Sequence, residues 1–319
     1  MKIVFLETDT LGRDMDLSPY DRLGRVVKCP CSVPEEVPAR ISDADIVIVN
    51  KVCMNEATLG KAKKLKLVCV TGTGTNIVDF DYTNSHNITV ANVKGYSTQS
   101  VIQHTFALFF YLYEKLSYYD HFVKSGQYIR SDIFSHFTIE FHELAGKTWG
   151  IIGLGEIGRG VAAVAKLFGC HVVYYSTSGQ NHNQGYEQVE LETLLKESDV
   201  ISIHAPLNED TRNLIGEEQL KKMKKSAVLL NLGRGPIINE NALAKALKEE
   251  WIAAAGLDVL SAEPMKAENP LIEIQDSTRL IITPHIAWAT VEARQRVVRE
   301  VYENIAAFQK GEARNVVTK

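Results

Sequence analysis

No stretch of the 319-residue chain stays apolar for the length of a bilayer span, which argues against a transmembrane protein. A secretory leader is equally hard to find. In MKIVFLETDTLG, Glu7 and Asp9 interrupt any apolar core. There is no excess of basic charge: the formal net charge is −4 and Lys and Arg are dispersed, so the electrostatic footprint of a nucleic-acid-binding protein is missing. The densest run, KKMKK at 221–225, is broken by Met223 and follows Leu220, and reads as the solvated face of a helix. Cysteine is sparse and odd in number: Cys29, Cys31, Cys53, Cys69 and Cys170. Without an export signal these are expected as reduced thiols in a cytoplasm. Cys29-Pro30-Cys31 has no second Cys/His pair at zinc spacing, so no metal site is expected. Neither an internal repeat nor a low-complexity tract is present.

What is present is an ordinary globular composition, 45% hydrophobic and 23% charged, at a length that predicts two domains. KIVFLE (2–7), ADIVIVN (44–50) and KLVCVTGTG (66–74) are apolar strand candidates, the last two running into turns, with helix-forming EATLGKAKKL (56–65) between them. Residues 97–119 carry broad helical burial behind a Ser cap signal and predict one long helix. Residues 120–146 lack periodicity and read as loop with a short helix. From 148 onward six apolar runs alternate with helical segments: TWGIIGL, HVVYY, DVISIHA, SAVLLNL, AAAGLDV and RLIITPH. That alternation predicts a doubly wound parallel sheet. VEARQRVVREVYENIAAFQKG (291–311) closes the chain as an amphipathic helix ended by Gly311.

GLGEIG, residues 153–158, follows the first of these runs and opens a helix. Alone the pattern is weak, but at a strand–helix junction it has a mechanism. Gly153 permits the tight turn, Gly155 lets backbone approach a pyrophosphate, and Gly158 lets helix pack on strand. The helix N-terminus offers N–H groups and a positive dipole end to phosphates. One expected element is missing. The next strand ends YYSTSG, and Ser176 stands where an Asp or Glu normally accepts from the adenosine ribose. Ser176 can still accept one such bond. The charge barrier against a 2′-phosphate is gone, yet no Arg or Lys follows, only Thr177, Ser178, Gln180, Asn181 and His182. The cofactor reading is therefore NAD, with NADP accepted in relaxed fashion.

Three further segments end strands at the same predicted sheet edge, where ligands sit in such folds. They are NLGRGP with Arg234, LDVLSAEP with Asp258 and Glu263, and ITPHIAWAT with His285. Hydride transfer to a 2-keto acid needs these side chains. A guanidinium grips the substrate carboxylate in bidentate fashion. An imidazole gives the carbonyl oxygen its proton. A carboxylate beside the imidazole holds its tautomer and favours its charged form. Each residue has a plainer alternative: Arg234 as a loop cap, Glu263 as a surface acid, His285 as a satisfied core histidine. Their convergence on one edge favours chemistry.

In VTGTGTNIVD (70–79), NVKGYSTQSVIQHTFAL (92–108), ELAGKTWGIIGLGEIGR (143–159), HAPLNEDTRNLIG (204–216), NLGRGPIINENAL (231–243), GLDVLSAEPMKAENPL (256–271) and ITPHIAWAT (282–290), the chain resembles the D-isomer-specific 2-hydroxyacid dehydrogenases over nearly its whole length. The resemblance implies α/β architecture with two doubly wound parallel-sheet domains. One is a Rossmann cofactor domain at 99–288; the other is a flavodoxin-like substrate-binding domain assembled from 1–98 and 289–319. A cleft between them would close over the substrate. It implies Arg234 as substrate-binding arginine, Glu263 as partner of His285, and His285 as acid/base. Backbone N–H groups of Thr73 and Gly74 would hold the substrate carboxylate, and Asp258 would meet the nicotinamide end. Gly153, Gly155, Glu156, Ile157, Gly158, Ser176, Thr177, Ala205, Pro206, Thr211, Leu232, Gly233 and His285 would line the cofactor. Lys94 and Asn239 depart from the usual family residues. Within the family, FHELAGKTWGIIG (141–153) and TPHIAWAT are similar to the glycerate dehydrogenase or hydroxypyruvate reductase group, implying hydroxypyruvate or glyoxylate as substrate. Trp288 either narrows the pocket toward small substrates or packs in the core. Segment 120–146 would be the arm of a homodimer. Two other functions stay open here: a D-lactate-type dehydrogenase on larger keto acids, and a non-catalytic NAD(H)-sensing protein on the same fold.

Overall fold

Short runs of β-branched and aliphatic residues build two parallel sheets in the computed structural model, which describes residues 1–180, 182 and 185–318. The first sheet contains β1 (Lys2–Phe5), β2 (Arg25–Lys28), β3 (Ile46–Val49), β4 (Leu67–Val70) and β5 (Thr89–Ala91) in the order β2-β1-β3-β4-β5. Sequence reading finds β1, β3 and β4 but not β2 or β5. The reason is physical: β2 is RVVK, an edge strand with exposed charged ends, and β5 has three residues. IVIV of β3 and LVCV of β4 are buried on both faces, as a covered parallel sheet demands. EATLGKAKKL forms only the helical turn Glu56–Leu59.

The helix Val291–Gln309 packs on β4 from the far end of the chain. Buried Tyr20 sits against it: its hydroxyl donates to the Val298 carbonyl at 2.6 Å, and its ring meets Phe5 and Tyr302 edge-on. By packing, the chain divides into Met1–Tyr96 with Ala289–Lys319, and Ser97–Trp288.

The second unit holds β6 (Thr148–Ile152), β7 (His171–Tyr175), β8 (Glu187–Gln188), β9 (Val200–Ile203), β10 (Val228–Asn231), β11 (Ala254–Leu257) and β12 (Leu280–Ile282). Their order is β12-β11-β10-β9-β6-β7-β8, all parallel. All six expected strands are there. β8 is additional, a two-residue exposed edge strand too short to leave a periodic signal. Chain order reverses between β6 and β9, which makes their carboxyl ends the ligand-binding crevice of a doubly wound sheet. Strand alternation builds two cores, one per face. Val228 and Leu230 join Trp149, Phe109 and Val161 in one cluster, while Leu229 joins Ile152, Ile201 and Leu243 in the other. Trp149 donates its indole N–H to Ser202 at 2.9 Å inside the sheet.

The single long helix expected over 97–119 is two helices, Thr98–Tyr113 and Leu116–Lys124. Lys115 between them adopts φ 54°, a left-handed residue that re-aims the chain. No Gly or Pro marks this break, and the apolar periodicity runs straight through it. The Lys115 ammonium donates to the Thr278 carbonyl at 3.3 Å, which ties the break to the preceding turn of β12. Ser97 occupies the N-cap position without a side-chain capping bond.

Candidate active site

Beyond β6 the backbone turns sharply at Gly153, with φ +92°. A Cβ there would lie 2.9 Å from Ala205 Cα, so the β9 turn closes against it. Gly158 packs tighter still: its Cβ would stand 2.3 Å from the Gly153 carbonyl. Gly155 is the N-cap of the helix Glu156–Leu167 and faces open space. The result is a helix N-terminus with its N–H groups uncovered, a fit for a pyrophosphate. Exposed Glu156 accepts from the Thr98 hydroxyl at 3.1 Å, and Ile157 packs partly into the core.

Ser176 ends β7. Its Oγ is buried and has no hydrogen-bond partner among the described residues. A buried hydroxyl left unpaired is costly, and a ribose hydroxyl at this strand end would satisfy it. The residues present therefore fit a dinucleotide. Thr177 is half-buried beside Ser176, while Ser178 and Gln180 are exposed. His182 Nδ1 lies 3.1 Å from Gln188 Oε1. Asn181 lies outside the described residues.

Thr211, which the resemblance implies lines the cofactor, also holds its own loop. It is buried, donates to the Pro206 carbonyl at 2.7 Å and accepts from Asn208 N–H at 2.9 Å. Its hydroxyl is thus occupied in holding the loop that presents Ala205 and Pro206. Leu232 is buried, and Gly233 sits where a Cβ would come within 2.9 Å of the Ala205 carbonyl.

His204, before Ala205, was not expected. Both its ring nitrogens are shielded and unpartnered among the described residues, and burial pushes its pKa down from 6.5 to about 3. Between these values the unfolded chain binds a proton that the folded chain refuses. Stability from this group is complete above about pH 6.5 and is lost as the pH falls, by up to ~1.4 kcal/mol per pH unit. Half-buried His104, lowered by burial against the opposing pull of the Asp258 carboxylate, acts in the same direction. Thermal unfolding should therefore show Tm falling from about pH 7 to about pH 5, with His204→Leu flattening the slope; an unchanged slope in that variant contradicts this assignment.

The strand ends β10, β11 and β12 are neighbours, and each carries one part of the remaining site. Asn231, the last residue of β10, ties down the loop that follows: its Oδ1 accepts from Gly233 N–H at 3.0 Å and its Nδ2 donates to the Arg234 carbonyl at 3.0 Å. Arg234 is half-buried, with one guanidinium nitrogen donating to the Gly233 carbonyl at 2.8 Å. Gly235 is jammed against the next strand end, since a Cβ would fall 2.0 Å from the Leu260 carbonyl carbon.

After β11, Glu263 turns back to accept from Leu260 N–H at 3.0 Å with one oxygen and meets His285 Nδ1 at 2.7 Å with the other. Both are partly exposed, 28% and 25% by side chain, so the pair is shielded yet reachable. Glu240, unexpected from sequence, steadies this loop by accepting from Ser261 N–H at 2.6 Å and from the Asn269 amide at 2.9 Å. With Nδ1 facing a carboxylate, Nε2 of His285 is left to exchange a proton with a ligand.

After β12, His285 has φ 54°, and its N–H donates to the carbonyls of Asp258 and Thr283, both at 2.9 Å. Asp258 is buried, and its carboxylate accepts from Ile286 N–H and Ala287 N–H at 2.9 Å and from the Thr283 hydroxyl at 2.6 Å. It therefore holds the histidine loop. Trp288, half-buried, is the last residue of this unit. In the other unit, the loop after β4 presents exposed Thr73 and half-buried Gly74. The Thr73 hydroxyl donates to the Val93 carbonyl at 2.8 Å and its own carbonyl accepts from the Asn92 amide at 2.8 Å.

The arrangement brings Glu263, His285 and Asp258 into one bonded group, with Arg234 at the adjoining strand end. Glycine cradle, orphaned ribose-side hydroxyl and carboxylate-backed imidazole along one sheet edge define an oxidoreductase that uses a dinucleotide. Residues 106–287 match the family described as "D-isomer specific 2-hydroxyacid dehydrogenase, NAD binding domain". The chain is 41% identical to a glycerate dehydrogenase of Methylorubrum extorquens, over 99% of this chain and 98% of the relative. It is 37% identical to a hydroxypyruvate reductase of Blautia hydrogenotrophica, over the whole of both chains. A D-lactate dehydrogenase from Aquifex aeolicus, solved with NAD and lactic acid, superposes with a TM-score of 0.86 at 28% identity, covering 97% of this chain and 96% of that one. The chain belongs to the D-isomer-specific 2-hydroxyacid dehydrogenase family. It is an enzyme, an oxidoreductase acting between a nicotinamide cofactor and a small 2-keto or 2-hydroxy acid.

Proposed function

We propose that this chain reduces hydroxypyruvate and glyoxylate to D-glycerate and glycolate, with NADH as the preferred cofactor. The observation that carries this reading is the Glu263–His285 contact of 2.7 Å at the carboxyl edge of the second sheet, which leaves Nε2 to protonate a carbonyl oxygen. When bound, the reduced nicotinamide supplies the hydride. Arg234 clamps the substrate carboxylate, and Glu263 stabilises the imidazolium before it gives up its proton. Trp288 limits the size of the group beyond the keto carbon. The names of the two curated relatives support the choice of substrate. Five free cysteines fit a reducing cytoplasm. The test is the loss of NADH absorbance with hydroxypyruvate, glyoxylate, pyruvate and phenylpyruvate in parallel. Hydroxypyruvate should give the highest kcat/KM. Faster turnover of phenylpyruvate would favour a larger-substrate dehydrogenase, and no turnover by folded protein would favour a cofactor sensor.

The cofactor preference rests on Ser176. Its hydroxyl suits a ribose hydroxyl, and no Lys or Arg stands in 177–182 to neutralise a 2′-phosphate. Ser176→Asp should raise the NADH-over-NADPH ratio of kcat/KM by about tenfold or more. An unmoved ratio, or a wild-type preference for NADPH, contradicts the assignment.

The partner is a second copy of the chain. Between the helix Leu116–Lys124 and β6, Ile129, Phe134 and Phe137 are 88%, 90% and 79% exposed, an apolar display that water alone does not favour. The segment is not limp: His136 stacks on Phe122 at 3.8 Å and bonds the Tyr118 hydroxyl at 2.7 Å. Light scattering at micromolar concentration should give the mass of a dimer, and Phe134→Asp with Phe137→Asp should give the monomer. A monomeric wild type contradicts this.

A further inference from the structure

We propose that His104 is a positioning residue for the proton donor: its Nε2–H donates to Thr283, whose hydroxyl donates to Asp258, and that carboxylate also accepts the backbone N–H groups of the His285 loop. The proposal rests on reading His285 as the donor.

The direction of these bonds follows from what each atom can do. The Asp258 carboxylate is buried and can only accept. The Thr283 hydroxyl lies 2.6 Å from its Oδ1, so the hydroxyl proton points there. The Thr283 oxygen is then left to accept, and His104 Nε2 is 2.9 Å away. Nε2 must carry hydrogen. His104 is too far from Asp258 to bond it directly, at 3.6 Å, so Thr283 is the link between them. Burial disfavours the imidazolium of His104. What these bonds need is an N–H donor at this point, not a charge.

The same helix grips the far end of the loop. Ser100, one turn before His104 on Thr98–Tyr113, donates to the Ala287 carbonyl at 2.5 Å. Ser100 and His104 thus bracket residues 283–287 from one helix face, and Asp258 holds the amides of Ile286 and Ala287 between them. His285 sits inside this bracket in a left-handed conformation that a side-chain-bearing residue keeps only when its surroundings fix it. Without the His104 donor, the Thr283 oxygen loses the donor it has among the described residues and the hydroxyl is free to turn away from Asp258. The loop carrying the imidazole then loosens.

The test exploits where amides place their nitrogen. In His104→Gln the amide nitrogen reaches the Nε2 position; in His104→Asn it reaches only the Nδ1 position; His104→Leu has none. We expect Asn and Leu to lower kcat for hydroxypyruvate about tenfold, with KM and the NADH Kd changed less than about twofold, and Gln to recover most of the loss. Thr283→Val should reproduce the defect, and combining it with His104→Leu should add nothing. Hydrogen exchange read without substrate should show the amides of Ile286 and Ala287 exchanging faster in the Leu and Asn variants and near wild type in Gln. Gln performing as poorly as Leu, or unchanged exchange at 286–287 in the Leu variant, overturns the proposal. Failure of wild type to reduce any 2-keto acid overturns instead the reading of His285, while the exchange data still decide whether these bonds hold the loop.

Discussion

His285→Ala will lower kcat for hydroxypyruvate by about a thousandfold while leaving NADH affinity within about twofold of wild type. The reason is the division of labour at the β12 end. The imidazole Nε2 is the group left to give up a proton, whereas the loop's hold on Asp258 runs through backbone N–H groups that alanine retains. The glycine cradle and Ser176 lie after other strands and keep their geometry. Glu263→Gln should cost less, about ten- to a hundredfold, because a neutral amide still orients Nδ1 but does not stabilise the imidazolium. Stopped-flow absorbance for turnover and calorimetric titration for cofactor binding separate the two effects. Retained turnover in His285→Ala refutes its role as donor.

Gly235→Ala should be nearly as damaging without removing any functional group. The added Cβ would stand 2.0 Å from the Leu260 carbonyl carbon, 2.1 Å from its oxygen and 2.4 Å from Ser261 nitrogen. These are backbone atoms and cannot rotate aside. The Arg234 loop and the loop bearing Glu263 must move apart, although Glu240 and Leu260 N–H resist that displacement. A shift of about 1 Å between a carboxylate clamp and a proton donor costs on the order of a hundredfold in kcat/KM. Overpacking adds a loss of roughly 1–3 kcal/mol of stability. Steady-state kinetics beside thermal unfolding measure both, and wild-type kcat/KM in this variant would show that the two loops need not touch.

The second sheet was largely legible because each of its six principal strands is an uninterrupted apolar run, and GLGEIG marks the one junction where glycine spacing has a mechanism. β2 and β5 were not, because an edge strand with charged ends and a three-residue strand carry no periodicity. The break at Lys115 was invisible for the opposite reason: the periodicity persists while a single left-handed residue changes direction. At the candidate site, the residues with reactive side chains could be picked from sequence, since Arg234, Glu263 and His285 follow strands. Their supports could not. Glu240, Asn231, Thr283 and His104 act through loops that meet only in three dimensions, and nothing in NENAL or VIQHTF announces such a partner. Thr211 belongs with these supports: its hydroxyl is taken up inside its own loop, a bond that the family position does not announce.

The central claim is hydride delivery to C2 of a small 2-keto acid with His285 supplying the proton. Reduction of hydroxypyruvate with NADH deuterated at the transferred position of the nicotinamide ring tests it directly. The account predicts D-glycerate carrying one deuterium at C2, formed by wild type and nearly absent with His285→Ala. Glycerate without deuterium, the L-isomer, or equal product from the variant would contradict it.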